Sequence, residues 1–549
     1  MKIENYLTKI LNDALTHLNY GEANIDIYLE RPKLEAHGDF SSNVAMLLPA
    51  FAKKAPRKIA EEIVEALSYD PNIIEKVEIA GPGFINFFLG MGYYQSSVKD
   101  ILDAGIEFGN SDWGAGRKIQ VEFVSANPTG PLNVVSARAA AVGDVMVNLF
   151  NAVGFKGYRE FYVNDAGRQI RLLGESVSAR YMELLDKKED LPEEGYHGEY
   201  VKDIAREIIE QDGDKYVRLP IGDRQEQMGQ IALTKMLESQ REMMDLYGVN
   251  FDNWYHESEL RKQNAQEQVL QDLKEKGYIF EEEGAVWFKS TEFGDDKDRV
   301  LVTQDGNPTY FLIDIAYHKT KYDRGFEKLY DLWGPDHHGY IARMSAAIQA
   351  MGYPGDSFQV EIIQQVNLLR SGEVIKMSKR AGKIIEMQEV IEEVGVDAAR
   401  FFFVNRKITS HLDFDIDLAK KQSDENPVYY LQYAHARICS ILNFAHEKGV
   451  DPDEDARLDL LKEPEEKNLI AALLQLPDTI SKAATSLDIH ILPNYLHDVA
   501  SVFHRFYHYH KVVSDDVELS KARLALVKAT QIVLANGFGI LGITAPERM

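Results

Sequence analysis

The chain has 549 residues, 45% hydrophobic and 27% charged, which is the composition of a globular protein large enough for three or more domains and excludes a disordered or fibrous one. Its single cysteine, Cys439, excludes a disulfide framework and a cysteine zinc site and fits a reducing cytosol. A formal net charge of −26 argues against wholesale nucleic-acid binding, because phosphate contacts need Lys and Arg; a local basic track on an acidic molecule stays open and would limit non-specific adsorption.

In chain order, residues 1–105 read as a small α+β unit. An amphipathic helix in MKIENYLTKILNDAL is followed by a strand in NIDIYLERP, a helix from Lys53 to Leu67 and strands in KVEIAGPGFINFFL. The opening helix carries acids and lacks the unbroken apolar core of a signal peptide, and no 18-residue apolar run is free of charge, so neither an export signal nor a membrane span is expected. From about residue 115, strand–turn–helix units take over, with KIQVEFV, GYREFYV and VEIIQQVNLL as strands; the alternation predicts an α/β, parallel, doubly wound sheet over 115–410. Residues from about 170 to 290, including EYVKDIAREIIEQ and IALTKMLESQREMMDLYGV, predict a mainly helical insertion into that sheet. Residues 411–549 have helical periodicity nearly throughout and predict an all-α bundle.

Two stretches carry chemistry. SANPTGPLNVVSARAAAVGD, residues 125–144, is a Pro/Gly turn between a strand and an alanine-rich helix, the usual place to hold a phosphate, yet the turn contains neither lysine nor histidine. Its plainer reading is an ordinary strand-to-helix connection with close helix packing. GEVIKMSKRAGK, residues 372–383, gathers Lys376, Lys379, Arg380 and Lys383 between glycines. Its plainer reading is a solvated basic loop.

The string Lys376-Met377-Ser378-Lys379 resembles the mobile K-M-S-K signature loop of class I aminoacyl-tRNA synthetases, whose lysines neutralise the ATP triphosphate as the adenylate forms. With it, Ala126-Asn127-Pro128-Thr129-Gly130-Pro131-Leu132 resembles the setting of the other class I signature, H-x-G-H, in the bacterial-type arginyl-tRNA synthetases. Asn133 and Ser136 occupy the two histidine positions and Val135 the glycine position, so that motif is degenerate. FYVNDAGRQI, YFLIDIAYH, WGPDHHGY, DAARFF, NPVYYLQYAHARI and LGITAPERM are similar to the same family, in order along the whole chain.

The resemblance implies a Rossmann-like class I catalytic domain with a helical insertion over 115–410, a tRNA-elbow-binding domain over 1–105 and a helical anticodon-binding domain over 411–549. It implies ATP-dependent ligation of L-arginine to tRNA(Arg) through an arginyl-adenylate, with release of pyrophosphate and then AMP. For the chemistry it points to Lys376, Met377, Ser378, Lys379, Asn133 and Ser136. For ATP it points to Ala126, Asn127, Pro128, Thr129, Gly130, Pro131, Leu132, Asn133, Val134, Val135, Ser136, His337, His338 and Lys379. For arginine it points to Glu122, Asn127, Tyr310 and Asp314, with Asp314 as the carboxylate that pairs a guanidinium through two parallel bonds. For tRNA it points to Phe84 and Asn86 on one face of a strand, and to Tyr429 and Tyr433. Family members with an altered K-M-S-K loop often carry a lysine before H-x-G-H; Gly130 stands there and K-M-S-K is intact. The helix near Ser136 is expected to offer free backbone N–H groups and a positive dipole end to phosphate. The only cofactor expected is ATP with Mg²⁺, with no protein-bound structural metal; the expected state is a cytoplasmic monomer without membrane contact. The missing histidines keep two rivals open: a catalytically weakened paralogue acting as a tRNA-binding or regulatory module, and a nucleotidyltransferase for a small cationic substrate that uses no tRNA.

Overall fold

The computed structural model describes residues 3–32, 34–375, 385–452 and 455–549. The N-terminal unit is an antiparallel sheet in the order β1 (Leu29–Glu30), β2 (Phe40–Ser42), β4 (Phe84–Leu89), β3 (Ile74–Ala80). Alternate residues Ile85, Phe87 and Leu89 of β4 are buried on one face, where they share a core with Leu7 and Leu11 of helix Ile3–His17 and Ile59 and Ile63 of helix Pro56–Ala66. NIDIYLERP contributes only the two residues of β1, because most of it is partly exposed and has no partner strand.

The middle of the chain is built on five parallel strands in the order β12 (Phe358–Ile362), β11 (Lys328–Trp333), β5 (Lys118–Glu122), β6 (Lys156–Val163), β7 (Asn253–His256). β5 lies in the middle, and four of its five residues are buried, as a strand covered on both faces requires. From β5 the chain crosses through helix Val134–Ala152 to β6 on one side, whereas β11 and β12 lie on the other. The strand order therefore reverses between β5 and β11, and in such a sheet ligands bind outside the carboxyl ends of the strands at that point.

Between β6 and β7 the chain inserts helices Arg168–Leu184, Glu199–Asp212 and Ile221–Leu246. The first and third meet at backbone contact: a Cβ on Gly174 would lie 2.2 Å from the Gln225 carbonyl oxygen. The insertion is less helical than its charge pattern predicts. β7 returns to the central sheet at 253–256, and after helix Ala265–Glu275 comes an antiparallel sheet β10 (Arg299–Val302), β9 (Ala285–Phe288), β8 (Ile279–Glu282). VEIIQQVNLL is likewise two strands. It breaks after Ile362, and β13 (Val366–Arg370) joins a separate sheet with β14 (Glu373–Val374) and β15 (Leu412–Asp415).

The last third is a bundle of helices Pro427–Glu447, Pro464–Leu473, Leu476–Ser486, Ile491–Tyr509 and Val517–Leu541. Among the described residues one helix, Val517–Leu541, is long and apolar enough to cross a membrane; it is mostly buried, as the central helix of this bundle. The bundle and the sheet domain are locked at Arg400, which is fully buried in helix Val396–Val404. Its guanidinium pairs with Asp144 and donates to the carbonyls of Leu541 (3.1 and 3.2 Å) and Tyr247 (3.1 Å). Gly542 follows in a left-handed conformation, φ +65°, and a Cβ there would stand 2.0 Å from the guanidinium. DAARFF and LGITAPERM, two of the family-like strings, thus meet at one contact.

Candidate active site

The site begins where β5 ends. Glu122 is its last residue, and the chain then turns through Val124 (φ +69°) and Ser125 (φ +38°), both left-handed. For a β-branched residue such as Val124 this conformation costs about 1–3 kcal/mol and persists only where the surroundings over-determine it. Ser125 is fixed from two sides: its hydroxyl donates to Glu122 Oε1 (2.9 Å) and accepts from the Tyr162 N–H (3.1 Å).

Helix Tyr310–Asp323 faces this turn. Asp314, His318 and Lys321 are spaced i, i+4, i+7 and lie on one side of it. A cavity of about 390 Å³ opens between this helix and the ends of β5 and β11, lined by Glu122, Ser125, Tyr162, Tyr310, Asp314 and Tyr340 among others. Asp314 is half-buried and accepts from the Tyr340 hydroxyl at 2.6 Å. Burial pushes its carboxyl up to about 6, with the charges of Glu122 and Glu257 adding to the rise and the Tyr340 hydrogen bond and His318 opposing it. Tyr310, one turn earlier, is 71% exposed at the cavity rim.

Beneath the cavity lies a polar network whose central members are buried. Lys321, fully buried, sets its ammonium between Glu122 Oε2 (2.6 Å) and Asp331 Oδ1 (3.0 Å). Burial lowers the Lys321 pKa, but the Asp331, Glu122 and Glu160 carboxylates outweigh it and hold the amine charged. The Tyr317 hydroxyl bridges Glu122 (2.8 Å) and Glu160 (2.7 Å), and Arg324 pairs with Glu160. His318 sets Nδ1 against the Asp314 carbonyl (2.8 Å) and Nε2 against Asp331 (2.9 Å), which makes it a structural post. Sequence reasoning missed Tyr317, Lys321, Asp331, Glu160 and Tyr340; the available signal was the i, i+4, i+7 spacing of Asp314, His318 and Lys321 on one side of a helix.

The loop Ala126–Val135 follows the strained turn. Asn133 is the N-cap of helix Val134–Ala152, and its Oδ1 accepts from the N–H groups of Val135 (2.9 Å) and Ser136 (3.2 Å). The Val134 N–H donates to the Ile385 carbonyl (3.3 Å) and the Ala137 N–H to the Asn133 carbonyl (3.0 Å). The expectation of free N–H groups at this helix end is thereby corrected: all four are engaged, and the side-chain donors left are Asn133 Nδ2 and the Ser136 hydroxyl. Asn127 is exposed on the loop and outside the lining of the cavity, so the structure does not bring it together with Glu122 and Asp314.

Lys376, Met377, Ser378 and Lys379 lie outside the described residues. Their flanks are held. Ile375 N–H donates to the Leu368 carbonyl (2.8 Å), Asn133 pairs with Glu386 in an antiparallel bridge, and Met387 N–H donates to the Leu132 carbonyl (2.8 Å). The end of the Pro/Gly loop, Leu132 to Val134, is thus hydrogen-bonded through the backbone to residues Ile385 to Met387. His337 lines the cavity from the turn Pro335–Tyr340, 6.3 Å ring to ring from Trp333; His338 is exposed and outside the lining.

Of the expected RNA contacts, Phe84 is half-exposed, but Asn86 is 3% exposed and its Oδ1 accepts from the Ser41 hydroxyl (2.7 Å). A buried, bonded amide presents no edge to a base, which corrects the pairing of the two. Tyr429 and Tyr433 are half-exposed with nearly parallel rings, centroids 6.2 Å apart, beside an 870 Å³ cavity that also takes in Tyr430, Arg437 and His504.

Three family models cover the chain: "Arginyl tRNA synthetase N terminal domain" over residues 2–89, "tRNA synthetases class I (R), catalytic domain" over 97–413, and "DALR anticodon binding domain" over 431–549. The chain belongs to the arginyl-tRNA synthetase family. The arginine–tRNA ligase of Carboxydothermus hydrogenoformans is 48% identical to it over 523 residues, 95% of this chain and 94% of that one. That of Bacillus pumilus is 49% identical over 526 residues with the same coverage. The Thermus thermophilus arginyl-tRNA synthetase shares the fold with a TM-score of 0.75 at 21% identity, over 99% of this chain and 100% of that one. As an arginyl-tRNA synthetase the chain is an arginine–tRNA ligase with ATP, arginine and tRNA as its substrates.

Proposed function

We propose that the cavity at the end of β5 is the arginine pocket of this synthetase. The observation that carries the reading is Asp314: a desolvated carboxylate, oriented by Tyr340, at the floor of a cavity walled by tyrosines. A guanidinium offers two parallel donors to such a carboxylate and a flat face to the rings, and a lysine substrate offers neither. Glu122, held by Lys321, Tyr317 and Ser125, is a second acceptor for the cationic substrate.

The reaction follows from these positions. The arginine carboxylate attacks the α-phosphorus of ATP, the bond to pyrophosphate breaks, and arginyl-adenylate forms. A terminal ribose hydroxyl of tRNA then attacks the acyl carbon and AMP leaves. Negative charge gathers on the phosphates in the first step, so Lys376 and Lys379 are assigned as the main cations, with Asn133 Nδ2 and the Ser136 hydroxyl as secondary donors. Mg²⁺ is assigned as the companion of the ATP phosphates; among the described residues no cluster of three or more His, Cys, Asp or Glu is arranged to hold a metal. Residues 1–105 are assigned to the tRNA elbow through Phe84, 115–410 to catalysis and 411–549 to the anticodon, with Tyr429 and Tyr433 as a stacking surface. The enzyme is assigned as a cytoplasmic monomer.

Purified protein with ATP, labelled arginine and total tRNA tests the reading, and label should pass to tRNA. Binding of tRNA without charging would favour the weakened paralogue. Pyrophosphate exchange with no transfer to any tRNA would favour the tRNA-independent nucleotidyltransferase.

A further inference from the structure

The loop 127–131 contains Pro128 and Pro131, which have no N–H. Its carbonyls are held from elsewhere. Gln240, 1% exposed on helix Ile221–Leu246, directs Nε2 at the carbonyls of Asn127 (3.2 Å) and Gly130 (3.1 Å). Tyr200, on helix Glu199–Asp212, donates its hydroxyl to the Thr129 carbonyl at 2.7 Å. The Tyr200 ring lies against Gly130, where a Cβ would be 3.4 Å from the phenolic oxygen. Three carbonyls of one short turn are therefore fixed by two side chains of the helical insertion.

The geometry points to Gln240 and Tyr200 as positioning residues for the ATP loop, and so to the insertion as the part of the molecule that sets this loop; the inference rests on the assignment of 126–136 to ATP. The Gln240 Oε1 supports it. That atom is buried and has no hydrogen-bond partner among the described residues. An amide placed only to fill space would be replaced without loss by an aliphatic side chain, because a buried, unpaired carbonyl is unfavourable. What an aliphatic chain would lack is the donor that closes the turn across Asn127 and Gly130. Asn133 caps the helix immediately after this turn, so a shift of the turn is passed on to Asn133 Nδ2 and the Ser136 hydroxyl.

Gln240→Met keeps length and volume and removes the donor. Gln240→Glu keeps the shape and sets a carboxylate against two carbonyl oxygens. Tyr200→Phe removes one oxygen. We expect Gln240→Met and Tyr200→Phe each to raise the KM for ATP or lower kcat about tenfold in pyrophosphate exchange with tRNA present, with the KM for arginine within about twofold of wild type. Gln240→Glu should be worse than Gln240→Met, while melting temperatures of the Met and Phe variants stay close to wild type. Unchanged ATP parameters in both Gln240→Met and Tyr200→Phe overturn the inference. So does an equal rise in the KM values for ATP and arginine, which marks a general structural role. Asn133→Ala and Ser136→Ala separate the two failures. If they shift ATP parameters while Gln240→Met does not, only the positioning role is lost. If they also leave ATP untouched, the assignment of the loop to ATP falls with it.

Discussion

Burial holds the Asp314 carboxyl above its ordinary value, with the Tyr340 hydrogen bond and His318 opposing the rise. That value is near 3.8 and is raised to about 6 in the folded protein, which therefore binds the proton more tightly than the unfolded chain does. The group therefore costs the fold stability as pH rises from about 4 to about 6, and the loss is complete above that window. Arginine binds the ionised form. Its apparent affinity should accordingly fall by up to tenfold per unit as pH drops below about 6, and equilibrium binding of arginine from pH 5 to 8 measures this; a flat profile would place the guanidinium elsewhere. Asp314→Asn removes the charge but keeps the shape, and should raise the KM for arginine by an amount equivalent to about 2–4 kcal/mol. Steady-state kinetics that leave the arginine KM unaltered would remove Asp314 from the pocket. Asp314 was legible because it sits in a local string. Lys321 was not, because its role depends on Glu122, 199 residues away, and a lysine on a helix ordinarily faces water.

The helix Val134–Ala152 shows how an element can read correctly from sequence while its backbone donors are engaged within the protein. Its start and its small residues are plain in the sequence, but the residue at the first histidine position turns out to be its cap. Asn133→Ala should lower stability by about 1 kcal/mol through loss of that cap, read by denaturant unfolding, and slow adenylate formation by no more than about tenfold. A hundredfold loss of rate at unchanged stability would make Asn133 a principal phosphate donor and not a secondary one. The long amphipathic helices of the insertion were legible by a different signal, a period near 3.6 sustained over many residues. β7 was not: it has four half-buried residues beside long charged helices, and only its pairing with β6 makes it a strand.

Across the whole molecule the three parts are less separable than their sequence boundaries suggest. Helix Met91–Ala104, in the N-terminal unit as read from sequence, packs on Val517–Leu541 and Pro464–Leu473; Gln95 donates to the Leu461 carbonyl (2.8 Å) and Asn536 to the carbonyls of Gly105 and Phe108. One apolar core runs from Ile3 through the Val134–Ala152 helix to Ile543. Deleting residues 1–105 would strip the bundle of that cover, so the elbow-binding role is better tested by Phe84→Ala, which should weaken tRNA binding and leave ATP binding intact; equal loss of both would mark Phe84 as structural. Affinity for tRNA should also fall steeply with salt, with a log–log slope of several units, if local basic patches make the contacts on a chain of net charge −26. Arg400 draws out what this continuity means. Its guanidinium takes partners from the Val134–Ala152 helix, from the end of the insertion and from the last turn of the chain's final long helix. Cutting the chain after residue 540 would leave that cation with two of its four hydrogen bonds, those to Asp144 and Tyr247. Such a protein should not survive as a working catalytic fragment: scanning calorimetry of the intact enzyme should show the bundle and the sheet melting in one endotherm, and limited proteolysis should release neither as a stable piece.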